Sequence, residues 1–229
     1  MKGILLVDFA GTLIKASVIE EANMLRSAIL QRAEPTCEEH AHPEHLYKEN
    51  REKIEQLTGI TEHMRIAYRQ NDTSHKTLCG KEVQNQLATN LFQLGMYMAA
   101  HRHKGSIIQE GLEEQLKRAK ELGYALAIVS GVRTDIISGM LQLAQLSITF
   151  DYILGQPPIL GVTNKENTTA LQKHGKILYA LGDKKSDLEA GRESGAKTIF
   201  VTWGHASGGE EKIADYIISS PKELEHILR

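Results

Sequence analysis

Cysteine is nearly missing from this chain: Cys37 and Cys79 are the only two in 229 residues. Two thiols make no disulfide framework, and their spacing suits no metal site, so a reducing, cytoplasmic compartment is the expectation. Long apolar runs are missing too. No stretch approaches the ~20 residues that a membrane span needs. The apolar start, Met1 to Leu13, is too short for a signal peptide's hydrophobic region, and Asp8 breaks it. Neither charge sign dominates. Lys and Arg total 27 against 29 Asp and Glu, a net charge of -2, and no basic run is dense enough for a nucleic-acid surface. Internal repeats and low-complexity tracts are also absent. What is present is an ordinary globular balance, 41% hydrophobic and 24% charged. That is enough for one α/β domain with a modest insertion.

Short apolar runs punctuate the two ends of the chain. Ile4 to Val7 is continuous rather than alternating, which suits a central strand of a parallel sheet buried on both faces. Similar runs recur at Ala125–Val129, Tyr152–Leu154, Ile177–Leu181, Thr198–Thr202 and Tyr216–Ile218. Helical patterns lie between them, at Ile107–Leu122, Thr134–Leu146, Lys165–Lys173 and Leu188–Ser194. The alternation predicts a Rossmann-like, doubly wound parallel sheet built from residues 1–15 and 105–229.

Residues 16–104 read differently. Helical stripes appear at Met24, Leu25, Ala28 and Ile29, at Leu46, Ile54 and Leu57, and at Leu87, Leu91, Leu94 and Met98. No strand is evident, and seven of the ten histidines fall in this stretch. An insertion directly after the first strand emerges at the carboxyl ends of the strands, where such sheets bind ligands. A helical cap over the site is therefore expected.

The residues that carry chemistry also fall at those strand ends. Asp8 closes the first strand, and the turn Phe9-Ala10-Gly11-Thr12 can present backbone N–H groups to an anion. Ser130-Gly131 closes a second strand, Gly182-Asp183 a third, and Asp187 follows one helical turn on. Lys165 opens the helix before that third strand. Three acids, a hydroxyl and a lysine on one sheet edge suit phosphoryl transfer. A carboxylate can attack phosphorus, with Mg2+ on Asp8 and Asp183 offsetting its repulsion for the phosphate. Ser130 would donate to a phosphoryl oxygen and Lys165 would neutralise charge on nucleophile and phosphate. Asp187 would hold a metal-bound water or Lys165, and Ser186 would cap the last long helix.

These motifs resemble those of the haloacid dehalogenase superfamily of phosphohydrolases. Asp8-Phe9-Ala10-Gly11-Thr12 matches the first motif, Ser130 the second, Lys165 the third and Gly182-Asp183-Lys184-Lys185-Ser186-Asp187 the fourth. The resemblance implies Asp8 as nucleophile, magnesium held by Asp8, the carbonyl of Ala10 and Asp183, and a helical cap that closes over small phosphorylated substrates. Phe9, Ala10, Thr12, Ser130, Gly131 and Lys165 become the expected substrate contacts, and Asp187 joins the metal group.

One position departs from that pattern. Where most phosphatases of the family carry a second Asp as acid and base, this chain has Ala10. Such a group contributes roughly 10²–10⁴-fold. A phosphatase with slow or borrowed acid–base chemistry follows, with a cap histidine or Lys15 as the lender. Phosphonoacetaldehyde hydrolases of the family also carry Ala there and use a cap lysine, for which Lys48, Lys53, Lys76 and Lys81 are the candidates. A non-catalytic binder of phosphorylated ligands is the third reading, and retention of Asp8 argues against it.

Overall fold

The computed structural model describes residues 1–30, 81–156 and 163–229. They divide into two compact units, Met1–Ile19 with Ala100–Arg229, and Glu20–Ala99. The first unit is an α/β sandwich. Its six strands are β1 (Gly3–Val7), β2 (Tyr124–Arg133), β3 (Tyr152–Gln156), β4 (Ile177–Gly182), β5 (Lys197–Val201) and β6 (Tyr216–Ile218). All pair in parallel in the order β3-β2-β1-β4-β5-β6, the doubly wound sheet that the alternation of runs predicts.

Burial explains the continuous apolar runs. Every residue of β1 is buried. Ile4 and Leu6 pack with Ala127, Val129, Leu171 and Ala180, while Leu5 and Val7 are fully buried on the alternate positions. Each such side chain contributes roughly 1.5–3 kcal/mol when withdrawn from water. Helices α3 (Leu112–Glu121), α4 (Thr134–Ala144), α5 (Asn164–Leu171), α6 (Lys185–Glu193) and α7 (Leu224–Ile227) belong to this unit. Thr163 caps α5 through a reciprocal box with Glu166.

The helix expected from Ile107 begins only at Leu112. Ile108 instead bridges Ile14 in antiparallel fashion. Lys15 N–H donates to the Ile107 carbonyl and Gln109 N–H to that of Leu13, both at 2.9 Å. The two crossings of the chain thus pair with each other. Gly111, at φ +78°, turns the chain into α3.

The other unit shows parts of two helices, α1 (Ala16–Leu30) and α2 (Lys81–His103). Leu91 and Leu94 of the expected stripe are buried, and Met98 packs on Leu94. A Cβ on Gly95 would stand 2.9 Å from the Ala22 carbonyl, so the two helices approach closely there. The stripe at Leu46, Ile54 and Leu57, and the lysines Lys48, Lys53 and Lys76, lie outside the described residues. Among the described residues no helix is long and apolar enough to cross a membrane.

Candidate active site

The winding of the sheet reverses between β1 and β4, and such switch points open a crevice at the carboxyl ends of the strands. Register then decides what meets there. Val7 lies opposite Leu181 on one side and Ile128 on the other. Asp8, one residue on, donates its N–H to the Leu181 carbonyl at 2.9 Å. Asp183 follows β4 directly, and the first turn of α6 brings Asp187 back over it. Ligand oxygens of Asp8, Asp183 and Asp187 all lie within 4.8 Å of one another, and all three residues are buried.

Glycine makes this crowding possible. Gly11 adopts φ +97°, and a Cβ there would collide with the Asp183 carboxylate. Gly204, after β5, likewise lies against Asp183. Asp183 is well held. Its Oδ1 accepts from the Thr12 hydroxyl at 3.2 Å and its Oδ2 from the His205 N–H at 2.7 Å. Trp203 donates its indole N–H to the Thr12 carbonyl at 3.1 Å, and His205 Nε2 donates to the Ala16 carbonyl at 3.2 Å. The loop after β5 therefore ties the first turn to the β4 acid. Glu210 anchors that loop by accepting from the Ser207 and Gly208 N–H groups.

Asp187 is held on one side only. Its Oδ1 accepts from the Asn164 amide at 3.0 Å, whereas its buried Oδ2 has no partner. Burial, then the Asp183 charge, push the Asp187 carboxyl up to about 6, against the opposing influence of Lys184. Burial, followed by the charges of Asp187 and Asp183, raises Asp8 well above the ordinary carboxylate range, while Lys184 and the Phe9 N–H oppose. Carboxylates packed this closely ionise only against mutual repulsion, which a cation would offset. The orphaned Oδ2 of Asp187 and the all-oxygen donor set fit a hard divalent ion such as Mg2+.

The other expected contacts divide. Ser130 is buried within β2, which runs on past Ser130-Gly131 to Arg133 instead of closing there, and the ladder to β3 shifts register after Val129. Its Oγ accepts from the Val132 N–H at 3.3 Å, which leaves its own proton free to donate. Gly131 is exposed and open around its Cα. The Phe9 side chain is wholly buried, so Phe9 offers a ligand only its backbone. The Thr12 hydroxyl is directed at Asp183 rather than outward. Ala10 is half-buried and bridges Ile14. Ser186 does not cap α6; its hydroxyl lies 3.4 Å from Asp187 Oδ1, and Lys184 holds the cap position without a side-chain bond.

Lys165 departs from its expected position. Its ammonium pairs with Glu193 at 2.9 Å, and its side chain is 68% exposed. Its neighbour Asn164 turns to the acids instead. Asn164, Trp203 and His205 carry no role in the sequence reading. The signals available for them were faint: the lone tryptophan of the chain lies just past a strand, and an amide precedes the motif lysine.

Comparison with known proteins points the same way. The family model described as haloacid dehalogenase-like hydrolase matches residues 8–201. A phosphoglycolate phosphatase of Aquifex aeolicus is 30% identical over 116 residues, 48% of this chain and 53% of that protein. A pyrophosphatase PpaX of Halalkalibacterium halodurans is 31% identical over 138 residues, 54% of this chain and 62% of its own length. The chain thus spans little more than half the length of these curated relatives. A haloacid dehalogenase-like family hydrolase of Streptococcus pneumoniae shares the fold with a TM-score of 0.64 at 18% identity, over 99% of this chain and 98% of that one. The HAD-hydrolase YfnB of Bacillus subtilis, solved with magnesium bound, gives 0.60 at 16% identity over 99% and 98%.

Proposed function

The chain belongs to the haloacid dehalogenase-like hydrolase family, and we propose that it is a magnesium-dependent phosphohydrolase of small phosphorylated molecules, working through phospho-Asp8. The observation that carries this reading is the buried cluster of Asp8, Asp183 and Asp187 with one carboxylate oxygen left unpartnered at the sheet's switch point. Magnesium would be held by Asp8, the Ala10 carbonyl, Asp183 and Asp187, and would offset the repulsion between a carboxylate and a dianionic phosphate.

The residues divide the remaining work. The Asp8 carboxylate attacks phosphorus, the bond to the leaving oxygen breaks, and an acyl phosphate forms on Asp8. Water then attacks phosphorus, which restores the carboxylate and releases phosphate. Ser130 donates to a phosphoryl oxygen, and the Phe9, Ala10 and Gly131 backbones line the same edge. Thr12 acts through Asp183, whose carboxylate it orients. The segment 16–104 serves as the helical cap that selects the substrate, and the protein works in the cytoplasm.

Ala10 narrows the substrate class. It can neither protonate a leaving oxygen nor activate the water, so substrates whose leaving group is a phosphate or carboxylate, needing little proton help, are favoured. The names of the two relatives, a phosphoglycolate phosphatase and a pyrophosphatase, support a small phosphorylated substrate.

Two variants test the reading with glycerol phosphate, a poor-leaving-group ester. Asp8→Asn removes turnover on the order of 10⁶-fold, the scale lost with a hydrolytic nucleophile. Ala10→Asp raises kcat toward the ~10²–10⁴-fold that a positioned acid–base group supplies. Turnover that survives Asp8→Asn refutes the nucleophile, and an unchanged kcat in a folded, magnesium-binding Ala10→Asp protein refutes the role given to position 10.

A further inference from the structure

We infer that Asn164 is a positioning residue for the divalent cation: its side-chain amide fixes the rotation of the Asp187 carboxylate and leaves the second oxygen of that acid for the metal. The inference rests on the reading of the acidic cluster as a magnesium site. Most of Asp187 is placed by its own stretch of chain. Its N–H donates to the Lys184 carbonyl at 3.1 Å and closes the first turn of α6. Its Cβ lies against the end of β4, where a Cβ on Gly182 would stand only 2.6 Å away. The softest freedom left is rotation of the carboxylate plane, a broad, roughly two-fold torsion with little preference of its own. A partner from elsewhere must select that rotation. The Asn164 amide donates to Oδ1 at 3.0 Å, and the Ser186 hydroxyl lies farther from the same oxygen, at 3.4 Å. Oδ2 stays buried without a partner. One oxygen thus serves the protein and the other is kept for a ligand.

Asn164 is itself firmly based. It is the first residue of α5, directly after the Thr163–Glu166 capping box. The Thr168 hydroxyl donates to its carbonyl at 2.7 Å. One turn on, the Asn167 amide donates to the Leu154 and Gly155 carbonyls at 3.4 and 3.3 Å, which docks α5 on the end of β3. Asn164 precedes β4 and Asp187 follows it, so the bond between them spans that strand. The chemistry of the donor suits the task. An amide carries no charge, so it orients the acid and leaves the cluster's negative charge for a cation to neutralise. A partner of this kind behind a metal ligand is worth ~10–100-fold in metal affinity.

The test uses the full chain, magnesium chloride alone titrated by calorimetry, and turnover of p-nitrophenyl phosphate across magnesium concentrations. Asn164→Ala and Asn164→Leu both remove the donor, circular dichroism checks folding, and either folded variant suffices. Each weakens magnesium binding ~10–100-fold and raises the half-saturating magnesium concentration by the same factor, while saturating magnesium recovers most of kcat. In an Asp187→Asn background the Asn164→Ala step costs no further affinity, because the carboxylate it orients is already gone. A merely structural role would cost the same in both backgrounds. Wild-type affinity in a folded Asn164 variant, or an equal loss in both backgrounds, overturns the positioning role and leaves the acidic cluster standing as a magnesium site. A wild type that binds no magnesium overturns the magnesium reading itself.

Discussion

The two edges of one sheet handle charge in opposite ways. At the amino edge Tyr124, Tyr179, Asp151 and Asp215 are each matched. The Tyr124 hydroxyl donates to the Arg229 carbonyl at 3.2 Å and the Tyr179 hydroxyl to that of Ile227 at 3.1 Å. Asp151 accepts from the Leu126 N–H and pairs with Lys120. Asp215 accepts from Lys197 and Thr198; burial works against its charge, but these bonds outweigh burial and hold its carboxyl below the ordinary range. At the carboxyl edge, three buried acids share a few ångströms, and two of them are pushed up. Matched charge at the amino edge fastens the C-terminal tail and the strand starts. Mismatched charge is tolerated only where a ligand completes it.

The largest test of that contrast is pH. Asp8 and Asp187 ionise at higher pH when folded than when unfolded, so the folded state binds protons more tightly. Their stabilising contribution is complete below the ordinary carboxylate range, near pH 4, and is lost as pH rises, through about 6 for Asp187, with Asp8 shifted in the same direction. The metal-free protein should therefore melt at lower temperature at pH 8 than at pH 5. Magnesium at 100 times its Kd contributes about 2.7 kcal/mol, a rise of ~5–10 °C for a chain of this size. Calorimetry should show that rise at pH 8 and a smaller one at pH 5; an equal rise at both would break the argument.

A smaller effect has two opposite signs. Asp187→Asn removes one charge from the cluster. It should raise the melting temperature of the metal-free protein at pH 8 and weaken magnesium binding ~10–100-fold, the scale of losing a supporting metal contact. Loss of stability in both forms would mean that Asp187 is merely structural. The smallest effect belongs to the amino edge. Tyr179→Phe removes one hydrogen bond, about 1 kcal/mol, or ~2–4 °C. That loss should be the same with or without magnesium at any pH between 5 and 8; a magnesium-dependent loss would blur the two edges.

Much of the architecture was legible because burial on both faces leaves uninterrupted apolar runs. Ile4–Val7 and Ile177–Leu181 each fall within a strand. The start of α3 was not legible, because Ile107 and Ile108 continue the helical stripe while their backbones pair with Lys15 and Ile14, more than ninety residues away. The acids were visible because each directly follows, or lies one turn beyond, such a run. The pairing of Lys165 with Glu193 was not legible for the same reason that Asn164 was overlooked. Position in sequence places both at the mouth of one helix, and only the rotation of that helix selects which side chain turns inward.

Local chemistry, written residue by residue, was enough to determine the parallel sheet, the strand ends and the acidic character of the site. Those depend on period, apolar content and glycine, which short windows carry. The tertiary structure alone decided that the Trp203–His205 loop holds Asp183, that Thr12 turns to an acid, and that Lys165 pairs with Glu193. Each of these is a meeting of segments distant in the chain, fixed by strand register and helix rotation, and neither quantity is encoded in any single stretch.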